Sequence, residues 1–185
     1  LPITSDFCFP LAQDSYKNIH KNWGDERAGG NRCHAGIDIY TKNPGTVLAI
    51  ADGIVTGVDK SFTTCSDTGT TQEVGNILIY HPSLGKTINY GEINTPTILL
   101  QTGASITKSQ ILGKATHCTM LHLEVYEGSV NQNQKWYPPE GYSTIGDNKC
   151  ATTYLSSKPL ALLDPTSLVD DLNNNFCSPL IFPVS

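Results

Sequence analysis

The chain has 185 residues, of which 38% are hydrophobic, and carries a net charge of −5 from 12 basic and 17 acidic side chains. That suffices for one packed domain; no apolar run approaches the roughly 18 residues of a membrane span, and no Lys/Arg cluster marks a nucleic-acid groove. With 16 Gly, 11 Pro and a single Met, the composition also excludes a coiled coil or helical bundle.

Residues 1–31 show no period and read as an irregular N-terminal segment. From Cys33 the chain becomes β-prone, beginning with Ile37, Ile39 and Tyr40. Val47–Ala51 and Ile54–Val58 flank Asp52-Gly53 and are expected to form a hairpin. Residues 59–75, rich in Ser, Thr, Asp and Gly, read as a long loop tied down by Cys65. Ile77–Tyr80 and Thr87–Tyr90 should form a second hairpin around His81–Gly85, making His81 a turn residue. Residues 97–114 read as strand–turn–strand. Leu121–Tyr126 alternates most clearly: period 2 places Leu121, Leu123 and Val125 on a core face, with Met120, His122, Glu124 and Tyr126 opposite. Residues 128–185 form a C-terminal extension expected to pack on the 32–127 core, making one domain overall. Within it, Asp164 before Pro165 signals the start of a short helix.

Six dispersed cysteines, with no CxxC pair, read as three disulfides in an oxidising compartment rather than as zinc knuckles. Fifteen pairings are open. Leu1 is expected to begin a mature chain whose targeting segment has been removed. Cys150 and Cys177 should hold the extension, to each other or to the core. Trp136, Tyr137, Tyr142 and Tyr154 either pack it down or line a groove.

Two polar groups stand in otherwise apolar, strand-like segments. His34 and Asp38, four apart, share a face of extended chain, and His122 lies in the alternating strand. Two imidazoles and a carboxylate are a common three-ligand set for zinc, leaving a fourth position for water or substrate. The same residues also suit hydrogen-bonded or capping roles, and spacing does not choose between the readings.

The segment Arg32-Cys33-His34-Ala35-Gly36-Ile37-Asp38 resembles the R-x-H-x-G-x-D motif of the M23 (lysostaphin/LytM-like) zinc metallopeptidases. Gly45–Val55, Ile77–Tyr90, Gly103–Gly113 and Leu121–Val125 resemble, in order, the further motifs of that family. Together with the strand pattern, the six cysteines and the Asp164-Pro165 signal, the resemblance points to a mainly β fold: a small antiparallel β-sheet core with an open zinc-site groove, disulfide-tied loops and a short C-terminal helix. It also implies that His34, Asp38 and His122 bind Zn²⁺. Two catalytic histidine positions of the family depart here, to Glu92 and Met120. Glu92 can serve as a base, as a carboxylate does beside zinc in other metallopeptidases, whereas a thioether cannot. His117, in the loop entering the last core strand, can supply the missing imidazole. The implied activity is that of a secreted, periplasmic or cell-surface zinc endopeptidase hydrolysing peptide bonds in peptidoglycan. The alternative is a zinc-binding, non-catalytic module that recognises peptidoglycan, glycan or a receptor.

Overall fold

The structure is a computed structural model, which describes residues 6–67, 69–141 and 149–180. Before the first ligand candidate come β1 (Tyr16–His20), β2 (Glu26–Arg27) and β3 (Arg32–Cys33). The central strands are β4 (Ile37–Thr41), β5 (Thr46–Leu48), β6 (Gly53–Asp67), β7 (Thr70–His81) and β8 (Lys86–Asn94). They are followed by β9 (Ser105–Ile106), β10 (Ile111–Lys114) and β11 (Met120–Glu127). In the extension lie α1 (Lys149–Thr152), β12 (Leu162–Leu163) and α2 (Thr166–Leu172).

The main sheet runs β1-β4-β11-β8-β7-β6-β9, with β12 paired to β11, and all of its pairings are antiparallel. β5 and β10 form a separate ribbon. One face of the sheet is the main core: Ile37, Ile39, Ile77, Ile79, Ile88, Leu121, Leu123 and Val125 are all buried there. Their alternation turns every second residue of β4, β7, β8 and β11 to the opposite face. That face packs against a second cluster around Tyr126, Trp136, Tyr154 and the Cys33–Cys150 disulfide. Trp136 and Tyr154 therefore pack the extension down, Tyr137 is exposed, and Tyr142 lies outside the described residues.

Several local expectations are corrected. Residues 47–58 are not a hairpin: β5 pairs with β10, and β6 with β7. Gly53 serves close approach rather than a turn. It has no left-handed φ, and a Cβ there would stand 2.6 Å from both Ile79 Cγ2 and the Tyr80 carbonyl of β7. Residues 59–75 are not a loop but the outer part of the β6–β7 pair, whose ladder continues to Asp67–Thr70 past a bulge. Their polar composition reflects a solvent-facing arm. β9 and β10 pair with β6 and β5, not with each other. The N-terminal segment, which showed no period, supplies edge strand β1 beside β4.

The disulfides are Cys8–Cys177, Cys33–Cys150 and Cys65–Cys118, closing sequence separations of 169, 117 and 53. Cys150 thus ties the extension to the core through Cys33, while Cys177 ties it to the N-terminal segment through Cys8, a pairing outside both expectations. Three such bridges are the mark of an extracellular or otherwise oxidising compartment. Among the described residues no helix is long and apolar enough to cross a membrane.

α2 starts where Asp164 Oδ1 accepts the Thr166 N–H at 2.9 Å, and it buries Val169 and Leu172 in the main core. His81, at the end of β7, is fully buried rather than a solvent-facing turn residue. Its Nδ1 meets the Asp52 carbonyl at 3.0 Å and its Nε2 meets the Tyr90 hydroxyl at 3.1 Å. Because a carbonyl only accepts, Nδ1 carries the hydrogen and Nε2 accepts from Tyr90. Burial depresses the His81 pKa to about 4.

Candidate metal centre

The register of the sheet assembles the site. Asp38 of β4 lies directly beside His122 of β11, which lies beside Gly91 of β8. His34 enters from the short loop between β3 and β4, where Gly36 lets the chain pass over β11. A Cβ at Gly36 would stand 2.3 Å from the Leu123 carbonyl and 2.8 Å from His122 Cε1. The three residues converge through one atom each. His34 Nε2 is 3.0 Å from His122 Nδ1 and 3.3 Å from Asp38 Oδ1, and His122 Nδ1 is 3.1 Å from Asp38 Oδ1.

The outward atoms are all committed. His34 Nδ1 points to the Asn22 carbonyl at 2.8 Å, so it must carry the hydrogen and leave Nε2 bare. His122 Nε2 donates to Glu124 Oε1 at 3.0 Å, which turns Nδ1 inward. Asp38 Oδ2 accepts from Asn22 Nδ2 at 2.6 Å and from Arg27 Nη2 at 2.7 Å, so Oδ1 is the inward oxygen. Asn22 Oδ1 in turn accepts the Asp38 N–H at 3.1 Å. Three inward electron-pair donors at such distances can be joined only by a cation: a proton on His122 Nδ1, or a metal ion in the middle. Tetrahedral ligands about 2.0–2.1 Å from zinc stand about 3.3 Å apart, and the triangle closes on nearly that size.

The electrostatics agree. Burial works against the charged form of His122, but hydrogen bonds to Asp38 and Glu124 outweigh it and push its pKa up to about 10. Burial would raise Asp38, yet hydrogen bonds from His122 and His34 hold its carboxyl below the ordinary carboxylate range. Burial keeps His34 below the ordinary imidazole value, only partly offset by the hydrogen bond that its protonated form would make to Asp38. Without a metal these directions place one positive charge on His122, paired with the Asp38 and Glu124 carboxylates, and leave His34 neutral.

A second layer supports the first. Glu124 Oε2 accepts from Asn89 Nδ2 and from the Tyr126 hydroxyl, each at 2.7 Å, and Asn89 Oδ1 accepts from Asn76 Nδ2 at 2.9 Å. Such outer partners fix tautomer and ring orientation in metal sites. Glu124 and Tyr126 could be found in the sequence from their period-2 phase with His122. Asn22 and Arg27 gave no signal, because only the fold brings the N-terminal segment to Asp38.

Glu92 follows the Gly91 that neighbours His122. It is half-buried, with a left-handed φ of 64°, and burial raises its carboxyl pKa. Met120 is half-buried at the start of β11. His117 does not join the His34–Asp38–His122 group. Its ring instead lies with the sulfurs of Cys65 and Cys118, which are bonded to each other and hold no metal. Its N–H donates to Gln72 Oε1 at 2.9 Å, and its Nε2 is buried without a hydrogen-bond partner. The groove at the site is narrow: beside His34, His122 and Glu124 a slot of about 30 Å³ remains under Gln134 and Trp136. Hollows of about 590 and 810 Å³ lie elsewhere, near Asp52 and near Asn175.

No protein-family model and no curated protein matches the sequence. Solved structures do, and they define the class of architecture as a lysostaphin-like fold. The chain is similar to lysostaphin, an antimicrobial peptidase from Staphylococcus simulans, at 15% identity and a TM-score of 0.55, covering 98% of this chain and 61% of that one. It is also similar to CbpA from L. salivarius REN at 16% identity and a TM-score of 0.50, covering 93% of this chain and all of the other. At these identities the likeness is one of fold. The chain spans about three-fifths of the lysostaphin chain, 61%.

Proposed function

We propose that this protein is a secreted zinc-dependent endopeptidase of the M23 type, acting on the peptides of bacterial peptidoglycan. The observation that carries the reading is the inward triangle of His34 Nε2, Asp38 Oδ1 and His122 Nδ1, whose outer atoms are all tied off. These three residues would hold Zn²⁺, which when bound lowers the pKa of a coordinated water and polarises a carbonyl. Asn22 and Arg27 fix the Asp38 carboxylate so that one oxygen faces inward. Glu124 holds His122 with Nδ1 inward. Glu92, raised by burial, accepts the proton of the attacking water. A role for His117 as the second imidazole requires its ring to turn away from the Cys65–Cys118 disulfide.

The narrow slot and the thioether of Met120 favour a second reading, in which the same centre binds zinc and recognises peptidoglycan, glycan or a receptor without cleavage. One experiment separates them. Purified peptidoglycan is incubated with the zinc-loaded protein and released muropeptides are read by mass spectrometry. Cleavage by wild type that is lost in Glu92→Gln supports the peptidase. Zinc bound at one ion per chain without cleavage supports the binder. Protein carrying no zinc, with His34→Ala indistinguishable from it, overturns both.

A further inference from the structure

The face of the sheet that carries His122 is polar, yet it is closed to solvent. Asn76, Thr87, Asn89, Glu124 and Tyr126 are all buried on it. The extension covers them. Its first stretch, residues 128–136, is firmly held at both ends. At one end Gly128 N–H donates to the Gly85 carbonyl at 2.9 Å, and Thr87 Oγ1 donates to the Gly128 carbonyl at 2.7 Å. At the other, Trp136 is wholly buried against Trp23, with ring centroids 5.0 Å apart, and its carbonyl accepts the Cys33 N–H at 2.8 Å.

The stretch between these anchors is held differently. Asn131, Gln132 and Lys135 are exposed. Under Asn131–Asn133 lies a hollow of about 290 Å³ bounded by Val58, Asp59, Asn76 and Leu78. Asn76 Oδ1 is sealed there without a hydrogen-bond partner. The cover is thus packed less closely over Asn76 than at either anchor. Besides lining the slot beside His34 and His122, the stretch is hydrogen-bonded to the site: Gln134 N–H donates to the Tyr126 hydroxyl oxygen at 2.8 Å, Tyr126 donates to Glu124, and Glu124 holds His122.

We propose that residues 131–135 are a movable strap lying where an extended peptide would cross the sheet, and that the metal centre becomes accessible when the strap lifts. The surface uncovered would present amide, hydroxyl and carboxylate groups suited to the main chain of a polar peptide. The proposal rests on the metal reading above, and its test keeps the two apart.

Two variants loosen the strap without touching a proposed ligand. In Gly57→Ala the new methyl would stand 2.3 Å from the Asn131 carbonyl oxygen, so the strap must move off β6. Gln134→Pro removes the N–H that meets Tyr126 and also fixes the backbone at 134 and restricts Asn133, so the strap loses its hydrogen bond to the site. Three quantities are read on wild type and both variants: zinc per chain, the rate of zinc transfer to a chromogenic chelator, and the rate of tryptic cleavage after Lys135. The expected result is unchanged zinc content, with both rates about fivefold or more above wild type, the scale of one lost hydrogen bond. Faster cleavage with unchanged zinc transfer overturns the coupling of strap to site, and unchanged cleavage in both variants overturns the strap itself. If wild type binds no zinc, the metal reading falls and the tryptic rate alone decides whether the strap moves. A variant that fails to fold, seen by loss of its cooperative unfolding transition, leaves the other to decide.

Discussion

The two faces of the central sheet are both buried, for opposite reasons. On one, Leu121, Leu123 and Val125 of β11 join isoleucines from β4, β7 and β8 in a continuous apolar core. On the other, His122, Glu124 and Tyr126 of the same strand lie under the extension in a network of directed hydrogen bonds. The first face should govern whether the chain folds, and the second what it binds. Apolar burial is non-directional and scales with area, whereas a polar network depends on each partner being in place.

The largest expected effect breaks the first face alone. Leu123→Ala removes a fully buried side chain and should lower stability by about 2–5 kcal/mol in urea unfolding. Zinc content of the folded fraction should stay the same. A Leu123→Ala protein of normal stability that has lost its metal would mean that the two faces are not separable in this way.

A pH effect of similar size also belongs to the core. His81 is buried in its neutral form with a pKa of about 4 against an ordinary 6.5. As pH falls below about 6.5 the unfolded chain takes up a proton that the folded chain refuses until about pH 4. The His81 contribution should therefore be full above pH 6.5, decline by about 3 kcal/mol in total on the way to pH 4, and level off below. Urea midpoints of wild type and His81→Gln at pH 7 and pH 4 check this: the part of the decline due to His81 should vanish in the variant.

The polar face responds in affinity as well. Asn22→Ala deprives Asp38 Oδ2 of its 2.6 Å donor and the Asp38 N–H of its acceptor; it should weaken zinc binding about 10- to 100-fold, measured by chelator competition, and lower stability by about 1–3 kcal/mol in urea unfolding of the zinc-free protein. That loss of stability with unchanged zinc affinity would make Asn22 a brace of the fold rather than of the metal ligand.

The same contrast explains what was readable in the sequence. The apolar face announced itself because alternation is local: Leu121–Tyr126 needs only its own residues to show period 2. The β7–β8 hairpin was readable for the same reason, and α2 from Asp164-Pro165. Pairing between distant segments was not. Asp52-Gly53 looks like a turn, but β7 offers β6 a twelve-residue partner that no local signal reveals. At the candidate metal centre, His34, Asp38 and His122 stood out as polar residues in apolar surroundings, and the structure brings their inward atoms together. Asn22 and Arg27 did not, since they reach Asp38 from a segment without period. His117 was drawn to the site by its nearness to His122 along the chain. In space its ring follows the Cys65–Cys118 bridge instead.

The smallest expected effect tests whether the polar side stores strain for its chemistry. Glu92 has a φ of 64°, a region where a Cβ crowds the backbone and which non-glycine residues occupy at a cost of roughly 1–2 kcal/mol. Glycine carries no such penalty, though it adds freedom to the unfolded chain, so Glu92→Gly should raise stability by no more than about 1 kcal/mol. Glu92→Gln keeps the backbone cost and should leave the urea midpoint unchanged. If Glu92 accepts the proton of the attacking water, both variants lose hydrolysis of peptidoglycan while both keep their zinc. A carboxylate held in an unfavourable conformation, buried enough to raise its pKa, and needed for turnover but not for stability is a residue retained for reaction. Should Glu92→Gly be more stable and equally active, the strain would have no functional counterpart, and the case for Glu92 as the base would be lost while the metal centre stood.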